Sequence, residues 1–248
     1  MEFAKRLSRM LARRASVKTA PLRAQRAVAS VTFDDFPKSA WSVGGPMMAR
    51  YHARGTYYTA GTFAGRSVDG IAYYDPDDLH TLHAAGHEIG CHGFGHRPVP
   101  GLSNAELRED LARNTQFLRP FNDGAAPESF AFPFGDTTLR TKMFYARRFA
   151  TSRGVHPAVN SGTLDLAQLS TIGIETYTWN EEKVARAVAE AKAAKAWIVF
   201  HTHDVSDSPS PYGCTPAMLE SVLKALTTAG IEVLPMREAV RVATGAAP

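Results

Sequence analysis

The sequence predicts an α/β fold built on a parallel sheet, open or closed into a barrel, with helices outside it. Three observations carry this reading. Short apolar runs alternate with stretches of helical periodicity from Ala27 onward. The strand-like runs are apolar throughout, as strands covered on both faces must be. The segments between them are long enough for right-handed crossovers. With 44% hydrophobic and 21% charged residues among 248, the composition is that of a globular chain and excludes disordered and collagen-like classes.

In order, Ala27–Phe33, Gly55–Thr59, Glu88–Cys91, Ser129–Phe132, Phe149–Ser152, Trp197–Thr202 and Ile231–Leu234 read as strands. The intervening Pro46–Ala53, Pro76–Ala85, Asn104–Leu118, Leu139–Tyr145, Glu181–Ala194 and Thr215–Thr228 read as helices. No repeat, low-complexity tract or linker divides this stretch, so residues 27–248 are expected to form one domain, preceded by an arm over residues 1–26. In the arm, Phe3, Leu7, Met10 and Leu11 recur at helical spacing with arginines opposite, describing a short basic amphipathic helix. Such a helix would lie on an anionic membrane surface, a neighbouring subunit or the domain's own flank. A frayed, solvated tail is the alternative, and an Arg-rich, acid-poor start also resembles an organellar transit peptide.

The net charge of +4 is a property of that arm, which holds eight Lys or Arg against the single acid Glu2. The remainder is slightly acidic, which argues against nucleic acid as a partner. Cys91 and Cys214 are too few to be needed as staples in a chain of this size and fit a reduced compartment. No apolar run is long enough to span a bilayer, and the basic start lacks the continuous apolar segment of a secretory signal, so the expected location is cytoplasmic.

In a parallel α/β fold the chemistry gathers at the carboxyl ends of the strands, and four unusual polar segments fall there. Adjacent Asp34 and Asp35 follow the first strand, where a cation would relieve their mutual repulsion. His92 and His96 stand four apart, a spacing that brings two imidazoles to one side of a helical turn or compact loop. Either motif alone is common. Together, Asp35, His92 and His96 form a two-histidine, one-carboxylate set suited to Zn²⁺ or another first-row divalent ion. That set also serves non-haem iron oxygenases; the spare carboxylate of Asp34 favours hydrolysis, which needs a base beside activated water. His87-Glu88 does not complete an HExxH motif, because the fifth position is Cys91, and His87 reads as structural. His201 and His203 share one strand face, and either can supply a proton; His203 is preferred, with Asp204 expected to orient its ring. The turn-rich Asp207–Pro216 loop offers Tyr212 as a stacking surface or serves as a connector.

The segments TFDDFP, GHEIGCHGFGH, FAFPFG and THD, followed by GIEVLP, resemble the polysaccharide deacetylases of carbohydrate esterase family 4 over residues 27–240. The resemblance implies a distorted (β/α) barrel, one divalent ion (Zn²⁺, with Co²⁺, Mn²⁺ or Ni²⁺ as alternatives) and hydrolysis of acetyl groups from N-acetylated sugars. It implies Asp34 as base, His203 as acid, and Asp35, His92 and His96 as metal ligands. Pro133 and Phe134 would bind substrate, the Phe134 N–H facing the oxyanion.

Two departures stand out. Phe36 occupies a position that is usually glycine and is expected to narrow the approach to the aspartates. Ala131 replaces an arginine that usually orients the base, and Arg153 is the candidate substitute. The family's acidic fourth motif has only Asp165 and Trp179 as nominal candidates. The role expected for the chain is cell-surface glycan biosynthesis at the inner face of the membrane, the arm assisting contact. A hydrolase of a non-sugar amide and a glycan-binding protein without turnover are the alternatives; the sequence is silent on oligomeric state.

Overall fold

The computed structural model describes residues 2–246, with side chains from residue 8. Its strands run β1 (Thr19–Pro21), β2 (Val28–Phe33), β3 (Thr56–Thr59), β4 (Ser67–Val68), β5 (Ile71–Ala72), β6 (Glu88–Cys91), β7 (Ser129–Ala131), β8 (Thr151–Arg153), β9 (Thr163–Asp165), β10 (Ile172–Gly173), β11 (Trp197–Thr202) and β12 (Glu232–Val233). Its helices run α1 (Glu2–Arg14), α2 (Lys38–Ser42), α3 (Gly44–Arg50), α4 (Pro76–Ala84), α5 (Asn104–Leu118), α6 (Leu139–Ala146), α7 (Glu181–Ala194), α8 (Pro216–Ala229) and α9 (Met236–Thr244).

Every residue of β2 is buried because the strand is covered on both faces. Ala29, Val31 and Phe33 pack outward with Ile198 and Phe200 beneath α7 and α8. Val28 faces inward with Trp197, Val199 and residues of α9. The inward polar groups are satisfied: Trp197 Nε1 donates to Ser30 Oγ at 3.1 Å, and Thr32 Oγ1 donates to the Phe200 carbonyl at 2.8 Å.

Among the described residues the main sheet has the order β10-β11-β2-β3-β6-β7-β8, each adjacent pair parallel, with β12 beside the first residues of β2. The seam between β8 and β10 is closed by irregular chain: Ser152 N donates to Leu166 O, Leu169 N to Ser152 O and Gly154 N to Leu169 O. This is the distorted (β/α) barrel, and its distortion lies in a segment that replaces regular strand at the seam.

Besides the short α2 and β10, three features exceed the sequence pattern. β4 and β5 form a small hairpin, β1 pairs antiparallel with β9, and GIEVLP continues into α9. The start of α9 is held from below by buried Glu88, which accepts from Thr56 Oγ1 (2.9 Å), Ser129 Oγ (2.6 Å) and Arg237 N (2.8 Å). Burial pushes the Glu88 carboxyl up against those donors. The helix expected over Pro46–Ala53 begins at Gly44 and ends at Arg50.

Of the surfaces considered for the basic arm, α1 lies on the domain's own flank, against α6. Lys142 of α6 is fully buried, and its ammonium donates to Ala12 O (2.7 Å) and Ala15 O (2.8 Å) and pairs with Asp165 (2.5 Å). Ala12 is the buried residue of this contact, whereas Met10 and Leu11 are exposed; the side chains of Phe3 and Leu7 lie outside the described residues. No helix among the described residues is long and apolar enough to cross a membrane.

His87 is structural in place. It is buried, its Nδ1 accepts from Gly55 N at 2.9 Å, and burial pulls its pKa down to about 4. The unfolded chain takes up this proton near pH 6.5, so the contribution is complete above that pH and is lost as pH falls toward 4. It amounts to roughly 3 kcal/mol, and the lowered pKa values of His92, His201 and His203 act in the same direction. Urea unfolding followed from pH 7 to pH 4 should show falling stability, with a shallower slope in His87→Gln.

Candidate active site

The carboxyl ends of β2, β6 and β11 open into a cleft of ≈ 670 Å³ lined by Asp34, Asp35, His92, His96, His201 and His203. Adjacent aspartates reach it without opposing one another because the backbone turns between them. Asp34 ends the extended strand, its N–H donating to Thr202 O at 2.9 Å, while Asp35 and Phe36 adopt left-handed φ values of 61° and 57°. That conformation costs a phenylalanine backbone strain that glycine would not suffer. Here the ring compensates: Phe36 is fully buried and packs against Tyr57 and Tyr74, with centroids 5.0 and 4.9 Å apart. It therefore points into the core and does not narrow the approach to the aspartates, contrary to the expectation from sequence.

His92 and His96 lie on a compact loop after β6. Gly93 takes φ 72°, and a Cβ there would meet the Asp110 carboxylate at 2.8 Å. That carboxylate, from α5, accepts from Phe94 N (2.8 Å) and Gly95 N (2.9 Å), folding the loop so that both rings face Asp35. Asp35 Oδ1 is 3.2 Å from His92 Nε2 and 3.0 Å from His96 Nε2.

The donor set fits a cation. His92 Nδ1 bonds the Ala131 carbonyl at 2.9 Å, which leaves the neutral ring a bare lone pair at Nε2. Burial lowers the His92 pKa, against the pull of Asp35, and so favours that neutral form. Burial would raise the Asp35 carboxyl; protonated imidazoles at His92 and His96 would hold it down, and where the rings are neutral that task falls to a cation. Asp35 Oδ1 is nevertheless buried without a hydrogen-bond partner. An ionised oxygen facing an imidazole lone pair at such a distance is repulsive unless a positive ion stands between them.

Asp34 is nearly buried, and its Oδ1 accepts from Arg153 Nη2. Arg153 is the registered neighbour of Ala131 across β7 and β8, so its guanidinium arrives on the face where Ala131 carries only a methyl group. Burial draws Arg153 down to about 9, with Glu175 acting the other way, and it remains cationic at neutral pH.

The two later histidines differ in their engagement. His201 is held at both nitrogens, by the Thr171 hydroxyl at Nδ1 and by Glu175 Oε1 3.2 Å from Nε2. His203 bonds the Tyr212 carbonyl through Nδ1 at 3.2 Å, and its Nε2 stands 4.0 Å from Asp35 Oδ2. Desolvation lowers its pKa to about 4, against the pull of Asp35. Asp204 does not orient this ring, as the sequence led one to expect; it accepts from Ser210 N (2.9 Å) and Ser210 Oγ (2.5 Å) and shapes the following loop.

Phe134 and Tyr212 line the cleft and are well exposed, whereas Pro133 is buried behind it. The Phe134 N–H makes no hydrogen bond to protein among the described residues. Tyr177, which sequence reasoning missed, stands edge-on to Tyr212 at 5.5 Å. Glu175 and Asp110 were also missed, because an acid in irregular chain and an acid on an amphipathic helix both read as solvated. Asp165 and Trp179 do not face the cleft: Asp165 pairs with Lys142, and Trp179 packs against the outer core.

Residues 23–150, just over half the chain, match the polysaccharide deacetylase family, and the chain belongs to it. Membership makes it a hydrolase, by class a sugar N-deacetylase. Its fold is similar to that of the Bc1960 peptidoglycan N-acetylglucosamine deacetylase, at 15% identity over 90% of this chain and 91% of that one, with a TM-score of 0.61. A family 4 acetyl xylan esterase from Clostridium thermocellum, solved with a cobalt ion, is 21% identical over 86% and 89%, with a TM-score of 0.60. The family 4 carbohydrate esterase of Streptomyces lividans, solved with acetate, is 18% identical over 85% and 92%, with a TM-score of 0.56. No curated protein matches the sequence.

Two substitutions probe the support of the aspartates. Phe36→Gly removes a buried ring worth about 3–5 kcal/mol and recovers about 1–2 kcal/mol of backbone strain. Urea unfolding should show a net loss of about 1–4 kcal/mol. Arg153→Met leaves a buried carboxylate without its cation and should cost about 3–5 kcal/mol. Adding Asp34→Asn to Arg153→Met should return part of that loss in a double-mutant cycle.

Proposed function

We propose that the chain removes acetyl groups from an N-acetylated glycan, with one divalent ion held by Asp35, His92 and His96. The observation that carries this reading is the buried, unpartnered Asp35 Oδ1 between two imidazole nitrogens. When bound, the ion lowers the pKa of a coordinated water and polarises the acetyl carbonyl; Zn²⁺ suits the donor set, as do Co²⁺, Mn²⁺ and Ni²⁺.

Asp34, paired with and oriented by Arg153, takes the proton from the attacking water. The free N–H of Phe134 donates to the carbonyl oxygen as negative charge gathers on it. His203, neutral at rest, takes up a proton at Nε2 as the water is deprotonated and passes it to the departing amine nitrogen. It is favoured over His201 because its Nε2 faces the cleft, whereas both nitrogens of His201 are engaged by Thr171 and Glu175. Tyr177 and Tyr212 offer ring faces and edges against which a sugar can pack. The exposed Met10 and Leu11 beside Arg13 and Arg14 support a role at a membrane surface, in cell-surface glycan assembly.

The binding-only alternative rests on Phe36 and Ala131. Its motive weakens with Phe36 turned into the core and with Arg153 beside Ala131, bonded to Asp34. The test is acetate release from N-acetylglucosamine oligomers, from lipid- or nucleotide-linked N-acetyl sugars and from non-sugar acetamides, with chelator and with each metal restored. Chelation should abolish release and Zn²⁺ or Co²⁺ should restore it. Asp35→Ala should lose metal and turnover together. Asp34→Asn should keep the metal while kcat falls about 10²–10⁴-fold. Normal turnover by Asp34→Asn refutes the assignment of the base, and release only from non-sugar amides refutes the glycan.

A further inference from the structure

The turn that carries Phe134 is conformationally unfavourable. Phe134 and Gly135 are consecutive residues in the left-handed region, with φ of 59° and 61°. A phenylalanine there suffers a backbone contact that glycine avoids, and a Cβ at Gly135 would meet Val155 Cγ2 at 2.3 Å. Such a turn persists only where its flanks over-determine it. On the N-terminal side, Phe132 N donates to Arg153 O at 3.1 Å and Pro133 is buried. On the C-terminal side stands Asp136, whose carboxylate is gripped by a guanidinium from the far end of the sequence. Arg9 Nε donates to Oδ1 and Arg9 Nη2 to Oδ2, both at 2.7 Å.

Arg9 belongs to α1, and α1 is itself anchored. Buried Lys142 donates to the carbonyls of Ala12 and Ala15 near the end of that helix and is neutralised by Asp165. A continuous path of contacts therefore runs from the domain flank through α1 and the Arg9 fork to the residue following Phe134 and Gly135. The Phe134 ring lies 4.6 Å from that of His96, so displacement of this turn moves both the free N–H of Phe134 and one wall of the metal-ligand cluster.

We propose that Arg9 is a positioning residue: through its two-point grip on Asp136, the N-terminal helix holds the Phe134 turn in register with the reacting acetyl group. This rests on the deacetylase reading. The arm thereby becomes part of the catalytic apparatus, whatever else its exposed face does. A fork fixes the orientation of a carboxylate as well as its distance, which a lysine ammonium does not. Misplacement of a preorganised donor by a fraction of an ångström lowers the rate more than it weakens binding.

The test uses the full chain as wild type, Arg9→Ala, Arg9→Lys, Asp136→Asn and the exchanged pair Arg9→Asp with Asp136→Arg. Acetate release from N-acetylglucosamine oligomers should show kcat lower by about tenfold in the first three variants, with KM, metal content and Tm little changed. The exchanged pair should recover part of the loss. Hydrogen exchange of the amides over residues 133–137 should be faster in Arg9→Ala than in wild type. An unchanged kcat in Arg9→Ala, full activity in Arg9→Lys, or a loss that simply tracks Tm overturns the proposal. If wild type releases no acetate from any N-acetylated sugar, the deacetylase reading fails, and the exchange rates over 133–137 alone decide whether Arg9 holds the turn.

Discussion

Two neighbouring carboxylates, one buried and one partly buried at the end of one strand, must be kept from neutralising each other's chemistry. The left-handed turn at Asp35 and Phe36 divides them. Asp34 is turned toward a buried guanidinium and Asp35 toward two imidazoles. Charge that is buried without such partners is expelled by protonation. The cleft is therefore a pair of compensated charges before it is a catalytic site.

That compensation requires the barrel. Arg153 ends β8 and Asp34 follows β2, and between those strands lie β3, β6 and β7. In a flat sheet, four spacings of about 4.8 Å would hold them roughly 19 Å apart. Their side chains meet because the sheet curls and its seam is closed by the irregular 166–171 segment. The same closure places Thr171 on His201 and brings Glu175 to that ring. Sheet curvature, ion pairing and histidine orientation are one constraint seen at three positions.

Much of this was legible in the residues. Strands covered on both faces announce themselves as continuous apolar runs, and the expected Trp197–Thr202 and Asn104–Leu118 coincide with β11 and α5. Motif residues at strand ends are legible because adjacency in sequence implies adjacency in space there. Long-range acids were not. Glu175 and Asp110 act through partners 26 and 15–16 positions away in sequence, at His201 and at Phe94 and Gly95, and nothing local distinguishes them from solvated carboxylates. Ladders as short as β1–β9 draw their stability from what they pack on rather than from their own periodicity.

The sequence by itself determined the alternation of strands and helices, the four polar segments at the strand ends, and the residue types suited to gripping a divalent ion. Tertiary structure alone decided the direction of Phe36, the partner of Asp34, the engagement of His201 as against His203, and the placement of α1 against α6. The physical reason is range. Periodicity and neighbouring charges act along the chain and leave a local imprint. A ring's orientation or a carboxylate's counter-ion depends on which distant strand the closing sheet brings alongside, and that choice belongs to the packing of the whole domain.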